Sequence, residues 1–305
     1  MRSISRRQFS SGLAAGAAGL LLGCNTEENE AASTVSGQAQ PATDAKIQRQ
    51  NTLGDTGITV SDIIFGAGVV HEPGLVRYAF DLGVNVFDTA AAYGSGISEE
   101  TISQGLRGIR DRVHIITKQR ADNPRRITRR RIEQTLEESL RKLGTDYVDG
   151  LFIHSMDSME ALNNDEIVES FVRFKQEGKV LFTGFSTHNE RVTLAGCLGT
   201  RYEEFVDAVM FRYNHLESRA IEPLIARVRE RGIGTIAMKT LAGGNHAGLG
   251  RYVREGLTYS QAAIAWVLAN KNIDCAVMSM DTFALIQEYV GASGVEVQRP
   301  DLSTA

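Results

Sequence analysis

Asn85-Val86-Phe87-Asp88, Ile115-Ile116-Thr117-Lys118 and Leu151-Phe152-Ile153-His154 are three runs of one design: β-branched, aromatic and aliphatic residues closing on a single polar side chain. A short apolar run between polar segments reads as a strand buried on both faces, the kind that parallel sheets use. Outward from these three, the pattern recurs at centres near Ile64, Val86, Ile115, Leu151, Leu181, Val209, Ile236 and Val277. Every interval is long enough for a crossover helix. The interval after Lys118 carries the clearest one. There Ile132, Leu136, Leu140 and Leu143 share one face, Glu and Arg occupy the others, and Gly144 stands where a helix end takes a left-handed residue. Eight strand–helix units in roughly 230 residues predict a closed (β/α)8 TIM barrel rather than an open doubly wound sheet. The glycine fingerprint of the open sheet is missing after the first strand, where only Gly66-Ala67-Gly68 stands.

In such a barrel the reactive groups collect at the C-terminal ends of the strands. Asp88, Lys118 and His154 would meet there, and the loop Thr89-Ala90-Ala91-Ala92-Tyr93-Gly94 adds a phenol beside Asp88. Each alone reads as an ordinary structural hydrogen-bonding group. Together, in consecutive units, they form an acid–base set: Lys118 paired with Asp88 lowers the Tyr93 pKa, Tyr93 gives a proton to a carbonyl oxygen, and His154 orients that oxygen.

Hydrophobic residues make up 42% of the 305-residue chain and charged residues 23%, the balance of a globular protein with a sizeable core. Three of the basic residues, Arg2, Arg6 and Arg7, lie in the first 23 positions; without them 30 basic residues face 37 acidic ones, which argues against a nucleic-acid partner. Ser5-Arg6-Arg7-Gln8-Phe9, an uncharged run from Gly12 to Gly23, and Cys24 after Leu21-Leu22-Gly23 resemble a bacterial twin-arginine signal ending in a lipobox. The resemblance implies passage through the twin-arginine export machinery, cleavage before Cys24, lipidation of its thiol, and a periplasmic or cell-envelope protein held to a membrane by that lipid alone. The apolar run itself is too short to span a bilayer. The segment that follows has almost no large apolar side chain and reads as a tether. The expected division is therefore 1–23 signal, 24–47 lipidated tether, 48–298 barrel and 299–305 tail. Cys197 and Cys275 each sit in an apolar segment and read as core residues, and neither they nor His188, His215 and His246 show metal-ligand spacing.

From about Arg49 to Val290 the sequence resembles the aldo/keto reductase family. Leu53-Gly54-Asp55-Thr56-Gly57-Ile58-Thr59-Val60-Ser61 looks like the family's opening hairpin under the barrel, and Asp88-Thr89-Ala90-Ala91-Ala92-Tyr93-Gly94 like its signature. Ser139-Leu140-Arg141-Lys142-Leu143-Gly144-Thr145-Asp146-Tyr147-Val148-Asp149, the later His154, and Gly184-Phe185-Ser186 extend the likeness. It implies reversible hydride transfer between NADP or NAD and a carbonyl or alcohol: an aldehyde, ketone or sugar. Tyr93 would be the acid, Lys118 and Asp88 would tune it, and His154 would place the substrate.

The family clamps the nicotinamide carboxamide with a Ser-Asn pair and a Gln; here Ser186 is kept, Thr187 stands for the Asn and Met210 for the Gln. The stacking aromatic appears as Met238, whose thioether still packs on a flat ring. Lys239, Leu241, Gly243 and Gly244 would approach a diphosphate, and Ser279-Met280-Asp281-Thr282 offers no basic group for a 2′-phosphate, so NADP and NAD are not told apart. The arginines at 120, 125, 126 and 129 to 131 read as a solvated loop and helix face balanced by Glu133, Glu137 and Glu138. A short first loop, Val69 to Gly74, and a shortened C-terminus predict an open site. Three readings are compatible with these residues: an exported oxidoreductase, a non-catalytic small-ligand-binding lipoprotein, and a nicotinamide-independent acid–base enzyme such as an isomerase.

Overall fold

The structure, a computed structural model, describes residues 45–121, 127–199, 202, 205–217 and 221–299. The signal, Cys24 and nearly all of the tether lie outside the described residues, as do Arg125, Arg126 and the positions after 299. Strands β3 (Ile63–Gly66), β4 (Val86–Asp88), β5 (His114–Arg120), β6 (Val148–His154), β7 (Val180–Thr187), β8 (Ala208–Arg212), β9 (Gly234–Met238) and β10 (Cys275–Ser279) close into a parallel barrel in sequence order, with β10 pairing β3. All eight strand centres expected from the sequence fall inside these strands. Helix α3 (Arg129–Leu143) buries Ile132, Leu136, Leu140 and Leu143, and Gly144 ends it at φ 66°.

Alternate strand residues point inward, and the inward set is Ile64, Val86, Ile116, Phe152, Phe182, Ala208, Met210, Ile236 and Cys275. Two large rings, Phe152 and Phe182, meet edge to face at 6.1 Å. Glycines make room for them. A Cβ on Gly150 would lie 2.7 Å from the Phe182 ring, and one on Gly184 would lie 1.9 Å from the Ala208 carbonyl oxygen. The outward residues pack under the helices in a second, larger apolar shell. Both Cys197 and Cys275 are buried free thiols.

Strands β1 (Gln50–Thr52) and β2 (Thr59–Ser61) form the antiparallel hairpin expected under the barrel, and Leu53 and Val60 close its floor. Two buried carboxylates tie the floor together. Asp274 accepts from the backbone N–H of Gly54 and of Thr235, at 3.0 and 2.9 Å, and from Arg229 Nε at 2.8 Å. Asp62 accepts from Ser293 Oγ at 2.6 Å and the Gly294 N–H at 2.9 Å, while Ser293 Oγ accepts from the Gln48 N–H at 2.8 Å. The packed body starts earlier than position 48: Ala45 and Ile47 lie against the core, and the Ile47 N–H bonds to the Leu82 carbonyl. It also reaches Arg299, whose guanidinium lies 4.1 Å from the Trp266 ring centre and 2.7 Å from Glu222. An apolar pair and a buried cation–π contact, both invisible to a composition boundary, account for these shifts. Among the described residues no helix is long and apolar enough to cross a membrane.

Candidate active site

Asp88 ends β4, His154 ends β6, and Lys118 lies in β5 between them. Lys118 does not end its strand, as the apolar run implied; β5 continues through Arg120, which pairs in register with His154. Tyr93 opens a short 3-10 turn, Tyr93–Gly96, just past β4. Buried hydroxyls hold that loop down: Thr89 Oγ1 and Ser98 Oγ meet at 2.7 Å, and Ser98 donates to the Ala67 carbonyl at 2.8 Å.

The four side chains converge as expected. Lys118 is 1% exposed, and its ammonium lies 2.5 and 2.6 Å from the two Asp88 oxygens and 2.8 Å from the Thr89 carbonyl. It also lies 5.0 Å from the centre of the Tyr93 ring. The His154 ring stands edge-on to Tyr93 at 5.4 Å and 87°. Burial pushes Asp88 upward, and its direct bonds to the Lys118 ammonium oppose that push. Tyr93 departs from the sequence expectation: burial raises its pKa above 10, and the Lys118 ammonium, pulling downward, only offsets part of the rise. The phenol is therefore protonated at neutral pH. His154 is pushed down to about 3, first by burial and then by the positive charges of Lys118 and Arg120, so its imidazole is neutral. Its Nδ1 is buried without a partner among the described residues.

The residues read as cofactor contacts separate into two groups. Ser186 and Met210 face each other in register on β7 and β8, Met238 borders the inner core, and Ser279 ends β10 in the open. Thr187 leaves the group: neighbouring residues alternate between faces, so it points away from the barrel axis. It is fully buried, its Oγ1 accepts from the Asn189 N–H at 3.0 Å, and it lies 3.0 Å from Thr193 Oγ1. After β9 the backbone turns through Lys239 (φ 58°), Ala242 (φ 50°), Gly243 (φ 67°) and Gly244 (φ 84°), with Leu241 between. Such turns point N–H groups to one side and cradle anions, and a Cβ at either glycine would meet nothing within 4 Å. The non-glycine residues with positive φ among the described residues are Ser95, Ser155, Lys239 and Ala242, and all four follow strand ends at this mouth. Strain of this kind concentrates at functional sites.

The acidic partners foreseen for the arginine run are used otherwise. Glu133 pairs with Arg173 and Glu137 with Lys179, both cations from α4 (Asp165–Gln176) and the turn after it, while Arg129 turns to Glu169 at 2.6 Å. Sequence reading missed Arg212. It closes β8 at the mouth, and its inward parity with Met210 was the available signal.

A sequence model described as "Aldo/keto reductase family" matches residues 72–251, more than half of the chain. An L-galactose dehydrogenase of Arabidopsis thaliana is 27% identical over 278 residues, covering 79% of this chain and 86% of its own. An aldo-keto reductase of Klebsiella pneumoniae, solved in complex with NADPH, superposes with a TM-score of 0.69 at 22% identity, over 82% of this chain and 92% of that one. A holo aldo-keto reductase of Bacillus halodurans gives a TM-score of 0.67 at 21% identity, over 83% and 93%. The two structures share the fold, and the sequence match carries the assignment: this chain belongs to the aldo/keto reductase family.

Proposed function

We propose that this chain reduces a carbonyl, or oxidises the corresponding alcohol, with Tyr93 as the proton donor and acceptor. At the level of the family it is an NAD(P)-dependent oxidoreductase, and NADP or NAD is its cofactor. The observation that carries the reading is the convergence of Lys118, Asp88, Tyr93 and His154 from three adjacent strands and one loop. The mouth also fits a dinucleotide. Lys239, Ala242, Gly243 and Gly244, with Leu241 between, make the left-handed turn that suits a diphosphate, and Ser186, Met238 and Ser279 lie at the C-terminal ends of their strands.

A nicotinamide dinucleotide bound there supplies or accepts the hydride. The protein handles the proton. Tyr93, protonated because it is buried, gives the proton from its Oη to the substrate oxygen as the carbon receives hydride. The phenolate left behind is stabilised by the adjacent Lys118 ammonium, itself fixed by Asp88, until solvent returns the proton. His154, neutral and edge-on to the phenol, donates a hydrogen bond to the substrate oxygen without competing as an acid. Oxidation runs the same steps backwards.

The substrate class we propose is a small aldehyde, ketone or sugar, and the similarity to a protein named L-galactose dehydrogenase supports the sugar. We further propose that the enzyme is exported and lipid-anchored. Support comes from Arg6-Arg7, the uncharged run and Cys24. An exported reductase needs its cofactor bound before it leaves the cytoplasm, which twin-arginine export of folded proteins permits.

The test is to denature protein purified by its own export route and identify what is released. A stoichiometric nicotinamide dinucleotide supports the reading, and Tyr93→Phe should then lower turnover by about 10²- to 10⁴-fold while the cofactor stays bound. If none is released and none binds at millimolar concentration, hydride transfer is ruled out.

A further inference from the structure

Arg212, Glu190 and Glu217 meet on the wall of the mouth formed by β7 and β8, and the mechanism above uses none of them. Arg212 lies in the same alternate row as Ala208 and Met210, so its side chain leaves β8 toward the barrel axis, one step nearer the mouth than Met210. Its Nη2 is 3.1 Å from Glu190 Oε1 and its Nε is 3.0 Å from Glu217 Oε1. Its side chain is still 42% exposed. Glu190 opens α5 (Glu190–Gly196) just past β7; it is nearly completely buried, and its Oε2 has no hydrogen-bond partner among the described residues.

A cation held between two carboxylates leaves the cluster negative by one charge. It is therefore a poor site for a phosphate or carboxylate. It presents instead a guanidinium edge that donates beside carboxylates that accept, the complement of an uncharged group carrying both a carbonyl oxygen and N–H donors. A primary carboxamide is such a group. The wall also stands in the right place, since β7 and β8 separate the left-handed turn after β9 from His154 on β6. The other polar candidates on this wall leave most of an amide unmet. The Thr187 hydroxyl is satisfied on the far side of β7, Ser186 Oγ already accepts from the Ser155 N–H at 2.9 Å and has a single hydroxyl proton left to donate, and Met210 offers only a thioether.

We propose that Arg212, set by Glu190 and Glu217, recognises the carboxamide of the nicotinamide and takes over the task that Thr187 and Met210 do not perform. The inference rests on the function proposed above. Arg212 is a positioning residue for the cofactor, and the negative balance around it also suits the positively charged ring of the oxidised form.

The experiment measures equilibrium binding, by calorimetry, of the intact dinucleotide and of the same molecule lacking nicotinamide, ADP-ribose or its 2′-phosphate. Arg212→Met should weaken the intact dinucleotide about tenfold or more and leave the truncated ligand unchanged. Equal weakening of both ligands, or of neither, overturns the proposal, as does wild-type protein that binds both equally well. Wild-type protein that binds neither overturns the oxidoreductase reading itself. Should Arg212→Met fail to fold, Glu217→Gln, on the more exposed of the two carboxylates, should give the same split on a smaller scale.

Discussion

Replacing His154 with Asn should flatten the acid limb of the stability curve. In the folded chain the imidazole is pushed from 6.5 to about 3 by burial and by the Lys118 and Arg120 charges. In the unfolded chain it titrates normally. Between those two values the unfolded state holds a proton that the folded state refuses, so stability rises with pH across the window and falls as the solution is acidified below about 6.5. Each pH unit is worth about 1.4 kcal/mol. Acidification from about pH 6.5 to 4.5 should thus cost the wild type on the order of 2 kcal/mol through this residue, after some discount for partial solvent access. The assay is urea unfolding of cofactor-free protein at several pH values, comparing wild type with His154→Asn. The two curves should converge on acidification, the variant lacking this part of the slope. Parallel curves would sink the reasoning: the folded imidazole would then take up its proton at an ordinary pH and could not serve as a neutral donor to the substrate.

Lys118→Met should cost about 3–5 kcal/mol at neutral pH, because it leaves Asp88 buried without its counter-charge. The loss should shrink toward pH 4 as Asp88 takes up a proton, and a loss that stayed constant in urea titrations at both pH values would contradict the pairing. Asp274→Ala removes one acceptor from three donors on the floor and should lower stability by about 3 kcal/mol, read as a shift in the thermal midpoint with the fold unchanged by circular dichroism. Gly184→Ala would push a methyl into the Ala208 carbonyl, so the soluble yield of folded protein should collapse; a well-folded variant would show that β7 and β8 can part.

The barrel was legible because its strands are buried on both faces, which makes them short β-branched runs set against amphipathic helices. The strand-end members of the candidate site were legible for the same reason: a polar residue at the end of such a run, as at Asp88 or His154, has no packing role to hide behind. What escaped was long-range or directional. Asp62 and Ser293 are 231 positions apart, and nothing local marks them as partners. Thr187 and Ser186 are neighbours in sequence, yet strand parity sends one to the mouth and the other behind it. Arg212 carries no local mark of its place at the mouth: a charge after Ala208-Val209-Met210-Phe211 resembles a loop residue, whereas the ladder includes it. The sign of the Tyr93 shift depended on burial, which outweighs a neighbouring charge and which spacing does not disclose.

Gln48, Ser293 and Asp62 make the first and last parts of the packed body hold one another. Opening of either end past these positions breaks bonds that also hold the other. Exchange of backbone amide hydrogens should accordingly be slow at Gln48 and at Gly294 and should quicken at both together when Ser293 is changed to Ala. The two ends of the packed body are thereby clasped next to β3, whose ladder with β10 closes the barrel.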